Sequence, residues 1–201
     1  MRGAVLAGGA ASRYGGVPKG LLEVGGERMF DRVVDTMTSV LKQKPLLVAN
    51  APDASTWRPE LDTIADVRAG YGTLGGIYTA VTAGDGPVLC TAWDMPFLNG
   101  PLLRSLVDLF ETGEYDAVLP ESSSRRGLEP LCAVYGPACG PAIERRLTAG
   151  ELMAVSFHPD VRVGILSLAR VREFGNPEQL FFNVNTPADL KRAEALWRQR
   201  G

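Results

Sequence analysis

Ala4-Val5-Leu6-Ala7-Gly8-Gly9-Ala10-Ala11-Ser12-Arg13-Tyr14-Gly15-Gly16-Val17-Pro18-Lys19 passes from an apolar run directly into a glycine-rich loop with two cations. The apolar part reads as a buried strand, predicted over residues 3–7, that delivers the loop to the C-terminal edge of a sheet. Glycines let backbone N–H groups turn toward a bound anion without interference from a Cβ. Arg13 and Lys19 add positive charge beside those amides, which suits a phosphorylated ligand. The spacing is not that of a Walker loop, and adjacent Gly8 and Gly9 break the dinucleotide pattern G-x-G-x-x-G. The plain alternative is a surface loop whose charges are incidental.

Outward from this loop, apolar strand-like runs alternate with amphipathic helical segments, the pattern of an α/β fold with a mainly parallel sheet. Strands are predicted over 3–7, 45–49, 63–65, 87–91, 116–120, 131–135 and 161–166, and helices over 29–41, 74–83, 102–110, 138–147 and 187–198. In the first helix Met29, Val33, Met37 and Val40 share one face. Pro101 suits the first turn of the third helix, and Thr186-Pro187 reads as an N-cap followed by proline at the first helical position. The polar run Glu121-Ser122-Ser123-Ser124-Arg125-Arg126-Gly127 reads as a flexible loop, either plain surface or a segment that closes over an acceptor.

Composition narrows the class. At 201 residues the chain has the size of one domain with a substantial core. An apolar fraction of 45% and a charged fraction of 22% are those of a soluble globular protein. A net charge of −2 provides no field for nucleic acid or a membrane surface. No apolar run approaches the ~18 residues of a membrane span. The N-terminal residues lack the features of a secretion signal, so the expected location is cytoplasmic. Cys90, Cys132 and Cys139 are an odd set without a C-x-x-C pair, which argues against a disulfide framework or a zinc site and for buried free thiols. The single histidine, His158, reads as a surface or core residue rather than a catalyst.

In sheets of this kind ligands sit outside the carboxyl ends of the strands. The polar residues expected there are the Gly8 loop, Asn50, Asp66 and Asp94. Asp94 follows an apolar strand and precedes Met95-Pro96. It is placed to hold Mg²⁺ together with nucleotide phosphates, because Mg²⁺ usually takes one or two protein carboxylates and keeps several waters. The alternative is a turn or helix-capping aspartate. Asp66 ends a strand before a glycine-rich turn and a helix, or is itself a turn former. Asn183 and Asn185, two residues apart in an extended segment, point to the same side. Their alternative role is to cap and turn the chain into the last helix.

L-A-G-G-x-x-S-R-x-G-G-x-x-K, spanning Leu6 to Lys19, resembles the signature of nucleotidyltransferases that activate a phosphorylated acceptor with an NTP. Among these it is most similar to the molybdenum cofactor guanylyltransferases. The resemblance runs from Leu6 to Leu190, through Asp66-Val67-Arg68-Ala69-Gly70-Tyr71-Gly72, Glu129-Pro130-Leu131 and Asn183-Val184-Asn185-Thr186-Pro187. It implies that Leu6, Ala7, Gly8 and Gly9 contact the nucleotide. The Gly8-Gly9 pair leans to guanine, because relatives that use CTP tend to carry L-A-A-G there. Arg13 and Lys19 would offset charge on the phosphates and the departing pyrophosphate. Asn50 and Asp66 would serve the nucleotide, Asp66 near the ribose or base, and Asp94 would bind nucleotide and Mg²⁺. Asn183 and Asn185 would serve the acceptor, since amides can read the donor and acceptor edges of a pterin. The chain departs from the family pattern at Val48, where a first asparagine often precedes Asn50. It departs also at Tyr14 (usually Met), Pro18 (commonly Asp) and Trp93 (commonly Cys).

The expected fold is one domain over residues 1–201, a three-layer α/β/α sandwich with a Rossmann-like, mostly parallel sheet. The implied reaction transfers GMP from GTP to molybdenum-bearing molybdopterin, with Mg²⁺ as cofactor and release of pyrophosphate. The implied partners are these two substrates and, transiently, cofactor-biosynthesis proteins or recipient molybdoenzymes. Two rivals stay open: a related nucleotidyltransferase that uses CTP or another phosphorylated acceptor, and a non-catalytic nucleotide-binding module, which need not keep a metal carboxylate.

Overall fold

The computed structural model describes residues 1–8, 18–124 and 127–199. β1 (Arg2–Ala7) alternates its side chains between two cores: Val5 packs in one, Ala4 and Leu6 in the other. A strand covered on both faces reads as a continuous apolar run, which is why it is conspicuous in the sequence. A small antiparallel hairpin follows, β2 (Glu23–Val24) with β3 (Glu27–Arg28). α1 (Met29–Leu41) buries Met29, Phe30, Val33, Val34, Met37 and Val40, the face expected from its spacing. Then come β4 (Leu46–Ala49), β5 (Thr63–Ile64), α2 (Gly72–Thr82) and β6 (Val88–Ala92). α3 (Gly100–Glu111) starts where the Asn99 side chain accepts the Leu102 N–H and Pro101 fills the first turn. β7 (Ala117–Pro120), β8 (Cys132–Tyr135), α4 (Cys139–Thr148), β9 (Val163–Leu166), α5 (Leu168–Phe174), α6 (Pro177–Leu180) and α7 (Pro187–Arg198) complete the described chain.

Seven strands form one sheet in the order β5-β4-β1-β6-β8-β7-β9. β8 runs antiparallel to both its neighbours and every other pairing is parallel. α1, α3 and α5 cover one face, and α2 and α4 the other, which gives the expected three-layer sandwich with a mostly parallel sheet. From β1 the chain moves outward to β4 and β5, then returns to place β6 on the other side of β1. That reversal opens a crevice beyond the carboxyl ends of the strands, the place where such sheets bind ligands. A third, smaller core of Val24, Met29, Phe97, Val184 and Ala193 binds α7 and the hairpin to the rim of this crevice.

Several elements differ from the sequence reading. The β2–β3 hairpin, α5 and α6 were not expected. The hairpin strands are two residues each, and the seven-residue α5 buries only Val171, so neither shows a period. α2 begins at Gly72 rather than residue 74, after a turn in which Gly70 and Gly72 take φ of +86° and +58°, values that favour glycine. The 121–127 run is pinned at its ends by a Glu121–Leu128 bridge and by the Ser122 N–H donating to the Gly127 carbonyl at 3.0 Å. Arg125 and Arg126 lie outside the described residues. No helix among the described residues is long and apolar enough to cross a membrane.

Candidate active site

A cavity of about 960 Å³ opens at the crevice. Leu6, Ala7 and Gly8 line it from the end of β1, Val48 and Asn50 from β4, Asp66 from β5, and Ala92, Trp93 and Asp94 from β6. Gly72, Thr73 and Gly76 bring the first turns of α2 to the wall, where N–H groups without intrahelical partners favour anions. Glu129 and Leu131 before β8, and Asn183 and Asn185 before α7, close the far side. Lys19 lines the same space. Every described residue expected at the site from sequence therefore meets the others around one cavity. The expectations for Gly9 and Arg13 lie outside the described residues.

The charged centre is built by three segments. Asp94, just past β6, is 3% exposed. Lys19 Nζ lies 2.5 Å from Asp94 Oδ2 and donates to Asn185 Oδ1 at 2.9 Å. The Val184 N–H donates to the Asp94 backbone carbonyl at 3.1 Å, which straps the segment before α7 onto the end of β6. Thr186 is the N-cap of α7. Its hydroxyl accepts the Asp189 N–H, and Asp189 Oδ2 accepts the N–H groups of Thr186 and Asn185. The Asn185 carboxamide is thus not the helix cap and reaches Lys19 instead. Asn183 Nδ2 donates to the Phe181 carbonyl at 3.0 Å. Both asparagines line one pocket, as their spacing predicts, but Asn185 belongs to the lysine–aspartate cluster despite lying 166 positions along the chain from Lys19.

On the opposite side Asn50 and Asp66 hydrogen-bond each other. An aromatic pair also lines the cavity: Trp57 and Trp93 stack with ring centroids 5.1 Å apart. A Cβ built on Gly20 would lie 2.3 Å from the Trp93 ring, so glycine next to Lys19 lets the chain pass over the indole. Sequence reasoning missed Trp57, which lies in a stretch without regular period, and gave Glu129 no role although it stands in a recognisable segment. His158 does not line the cavity. The three cysteines are buried and free, and burial pushes the Cys139 thiol up to about 12 and those of Cys90 and Cys132 upward as well. Thiols in that state are poor nucleophiles.

Among the described residues no cluster of three or more His, Cys, Asp or Glu side chains is positioned to hold a metal. Asp94 is a single buried carboxylate on the cavity wall, paired with Lys19, and such a residue would suit a divalent cation that recruits phosphates and water for its remaining positions.

The sequence model described as a MobA-like NTP transferase domain matches residues 3–161. The chain is 36% identical over 195 residues to a probable molybdenum cofactor guanylyltransferase of Pelotomaculum thermopropionicum, covering 96% of this chain and 92% of the relative. It is 36% identical over 198 residues to the molybdenum cofactor guanylyltransferase of Desulfosudis oleivorans, covering 97% and 95%. The crystal structure of molybdopterin-guanine dinucleotide biosynthesis protein A from Archaeoglobus fulgidus aligns with a TM-score of 0.82 at 28% identity, over 99% of this chain and 100% of that one. The 4-diphosphocytidyl-2C-methyl-D-erythritol synthase of Anaerococcus prevotii shares the fold alone, at a TM-score of 0.73, 14% identity and coverage of 98% and 95%. With relatives matched over nearly its whole length, and its polar groups gathered at one sheet edge, the chain belongs to the MobA-like NTP transferase family and is a nucleotidyltransferase.

Proposed function

We propose that this enzyme transfers GMP from GTP to the terminal phosphate of molybdenum-bearing molybdopterin, forming the guanine dinucleotide cofactor and pyrophosphate. The observation that carries this reading is the cavity itself. It is large enough for two ligands, and it has a buried carboxylate and an ammonium at one end and the Asn50–Asp66 pair at the other. The names of the relatives, matched over nearly the whole chain, support guanylyl transfer.

In this reading a phosphate oxygen of the pterin attacks the α-phosphorus of GTP in line. The new P–O bond forms as the bond to the bridging α–β oxygen breaks, and the electron pair leaves with pyrophosphate. No covalent enzyme intermediate is required, so the protein contributes positioning and charge stabilisation. Lys19, with Arg13, offsets the charge on the phosphates and on the leaving group. Gly8 and Gly9 offer backbone N–H groups to the nucleotide, Leu6 and Ala7 pack beside it, and Asn50 and Asp66 orient its ribose or base. Asn183 and Asn185 face the pterin, with Asn185 where acceptor and phosphates meet. Asp94 is the residue that would hold Mg²⁺, which when bound neutralises phosphate charge. The proposed setting is the cytoplasm, which supplies GTP.

The test is pyrophosphate release from purified enzyme given Mg²⁺, molybdenum-loaded molybdopterin and each NTP in turn. Release with GTP and little with ATP or CTP is expected. A preference for CTP would move the enzyme to cytidylyl transfer, and no release with any nucleotide would make it a binding module.

A further inference from the structure

We propose that the Lys19 ammonium is the counter-cation of Asp94 in the nucleotide-free enzyme, and that it must leave this carboxylate before a divalent metal can bind there. Asn185 acts through Lys19 as a positioning residue that keeps the ammonium at the site. The proposal rests on the reading of Asp94 as the metal carboxylate and adds what occupies that carboxylate beforehand and what the exchange requires.

The geometry poses the problem directly. Asp94 is almost wholly buried, and a buried carboxylate without a compensating partner is costly. The ammonium at 2.5 Å from Oδ2 supplies that compensation. A divalent cation brought to the same oxygen would meet a positive charge at contact distance. Metal entry is therefore disfavoured until Lys19 has another anion to pair with. A nucleotide triphosphate supplies one: the ammonium moves to a phosphate oxygen, the metal takes the carboxylate, and no charge is left unpaired. Metal and nucleotide then favour each other's binding, and the coupling is reciprocal.

Asn185 is suited to hold the lysine through this exchange. Its Oδ1 is a neutral acceptor at 2.9 Å from Nζ, so it keeps the ammonium without competing for a counter-charge. Its backbone is fixed relative to Asp94 by the neighbouring Val184 N–H on the Asp94 carbonyl, and by its own N–H on Asp189 Oδ2 at 3.1 Å.

The experiment is titration of nucleotide-free enzyme with Mn²⁺, reading free Mn²⁺ by electron paramagnetic resonance. Wild type should bind Mn²⁺ weakly. Lys19→Gln, which keeps hydrogen-bonding capacity without the charge, should bind it about tenfold more tightly or better. Lys19→Met is the second variant and should behave alike. Asn185→Ala should tighten Mn²⁺ binding when Lys19 is present and leave it unchanged in the Lys19→Gln background. Mn²⁺ affinity unchanged or reduced in the folded Lys19 variants would overturn the exchange. An equal effect of Asn185→Ala in both backgrounds would overturn its positioning role. Asp94→Asn added to Lys19→Gln separates the two levels. Loss of Mn²⁺ binding supports Asp94 as the metal carboxylate, whereas undiminished binding would overturn that assignment and the proposal with it.

Discussion

Asn50 and Asp66 close a two-bond ring across the ends of adjacent strands: Asn50 Nδ2 donates to Asp66 Oδ2 at 2.7 Å, and the Asp66 backbone N–H donates to Asn50 Oδ1 at 2.8 Å. One asparagine thus aims the carboxylate and fixes the turn that leads to α2. Asn50→Ala should weaken GTP and guanosine alike, by about tenfold, if the lost hydrogen bonds serve the nucleoside as proposed. Calorimetric titration of both ligands checks this. A loss confined to GTP would place the pair at the phosphates.

Asp94→Asn should lower turnover by about 10²–10³, the usual cost of removing one electrostatic stabiliser. The fold should persist, since the Val184 N–H bonds the Asp94 backbone carbonyl and not its side chain. Pyrophosphate release at limiting Mg²⁺, paired with a thermal unfolding curve, gives the answer. Turnover near wild type would mark Asp94 as a structural residue.

Gly20→Ala should destabilise the enzyme by about 1–3 kcal/mol, as overpacking does. The new methyl meets Trp93 at 2.3 Å, and a shift of that indole would disturb its stack with Trp57. Denaturant titration measures the loss. In a Trp93→Cys background the same alanine should cost much less, and that non-additivity identifies the indole as the obstacle.

Asn183→Ala should raise the molybdopterin concentration needed for turnover and leave GTP affinity nearly unchanged. Asn183 lines the cavity on the side away from Asn50 and Asp66, with its Nδ2 given to the Phe181 carbonyl. Separate binding measurements for the two substrates decide the matter. A large loss of GTP binding with intact pterin binding would reverse the assignment.

His158 should give stability a pH dependence. Burial holds its imidazole below the ordinary 6.5, and among the described residues its Nε2 has no hydrogen-bond partner. Below pH 6.5 the unfolded chain takes up a proton that the folded chain still refuses, so stability falls as pH falls toward the depressed folded value. Well above 6.5 both states are neutral and this group contributes no slope. Urea midpoints at about pH 8 and pH 5.5 should converge in His158→Gln relative to wild type.

The residues that sequence reading placed well are those whose position follows from local pattern. α1 and α7 have the bounds expected from their spacing and from the Thr186-Pro187 start. Asn50, Asp66 and Asp94 could be assigned to one edge because parallel strands bring their carboxyl ends together. The reversed direction of β8 was not legible. Residues 132–135 are buried throughout, and an apolar run reads the same in either direction. Nor was the Lys19–Asn185 contact, which depends on Val184, ahead of α7, and Ala193, within it, packing with Val24, Met29 and Phe97. No local signal carries that return of the chain. Chain distance alone would have kept Asn185 apart from the lysine it holds.

The Trp57–Trp93 stack has an optical consequence. Two indoles 5.1 Å apart and only 19° from parallel couple their electronic transitions, and both stand in the cavity wall. The third tryptophan, Trp197, lies elsewhere, against Phe97 and beneath the Arg32 guanidinium. Circular dichroism in the aromatic bands should therefore include a contribution that originates in the cavity wall. A ligand that tilts either ring would alter it without any dye or label. The stack would then serve the enzyme as a built-in optical gauge of what enters the cavity.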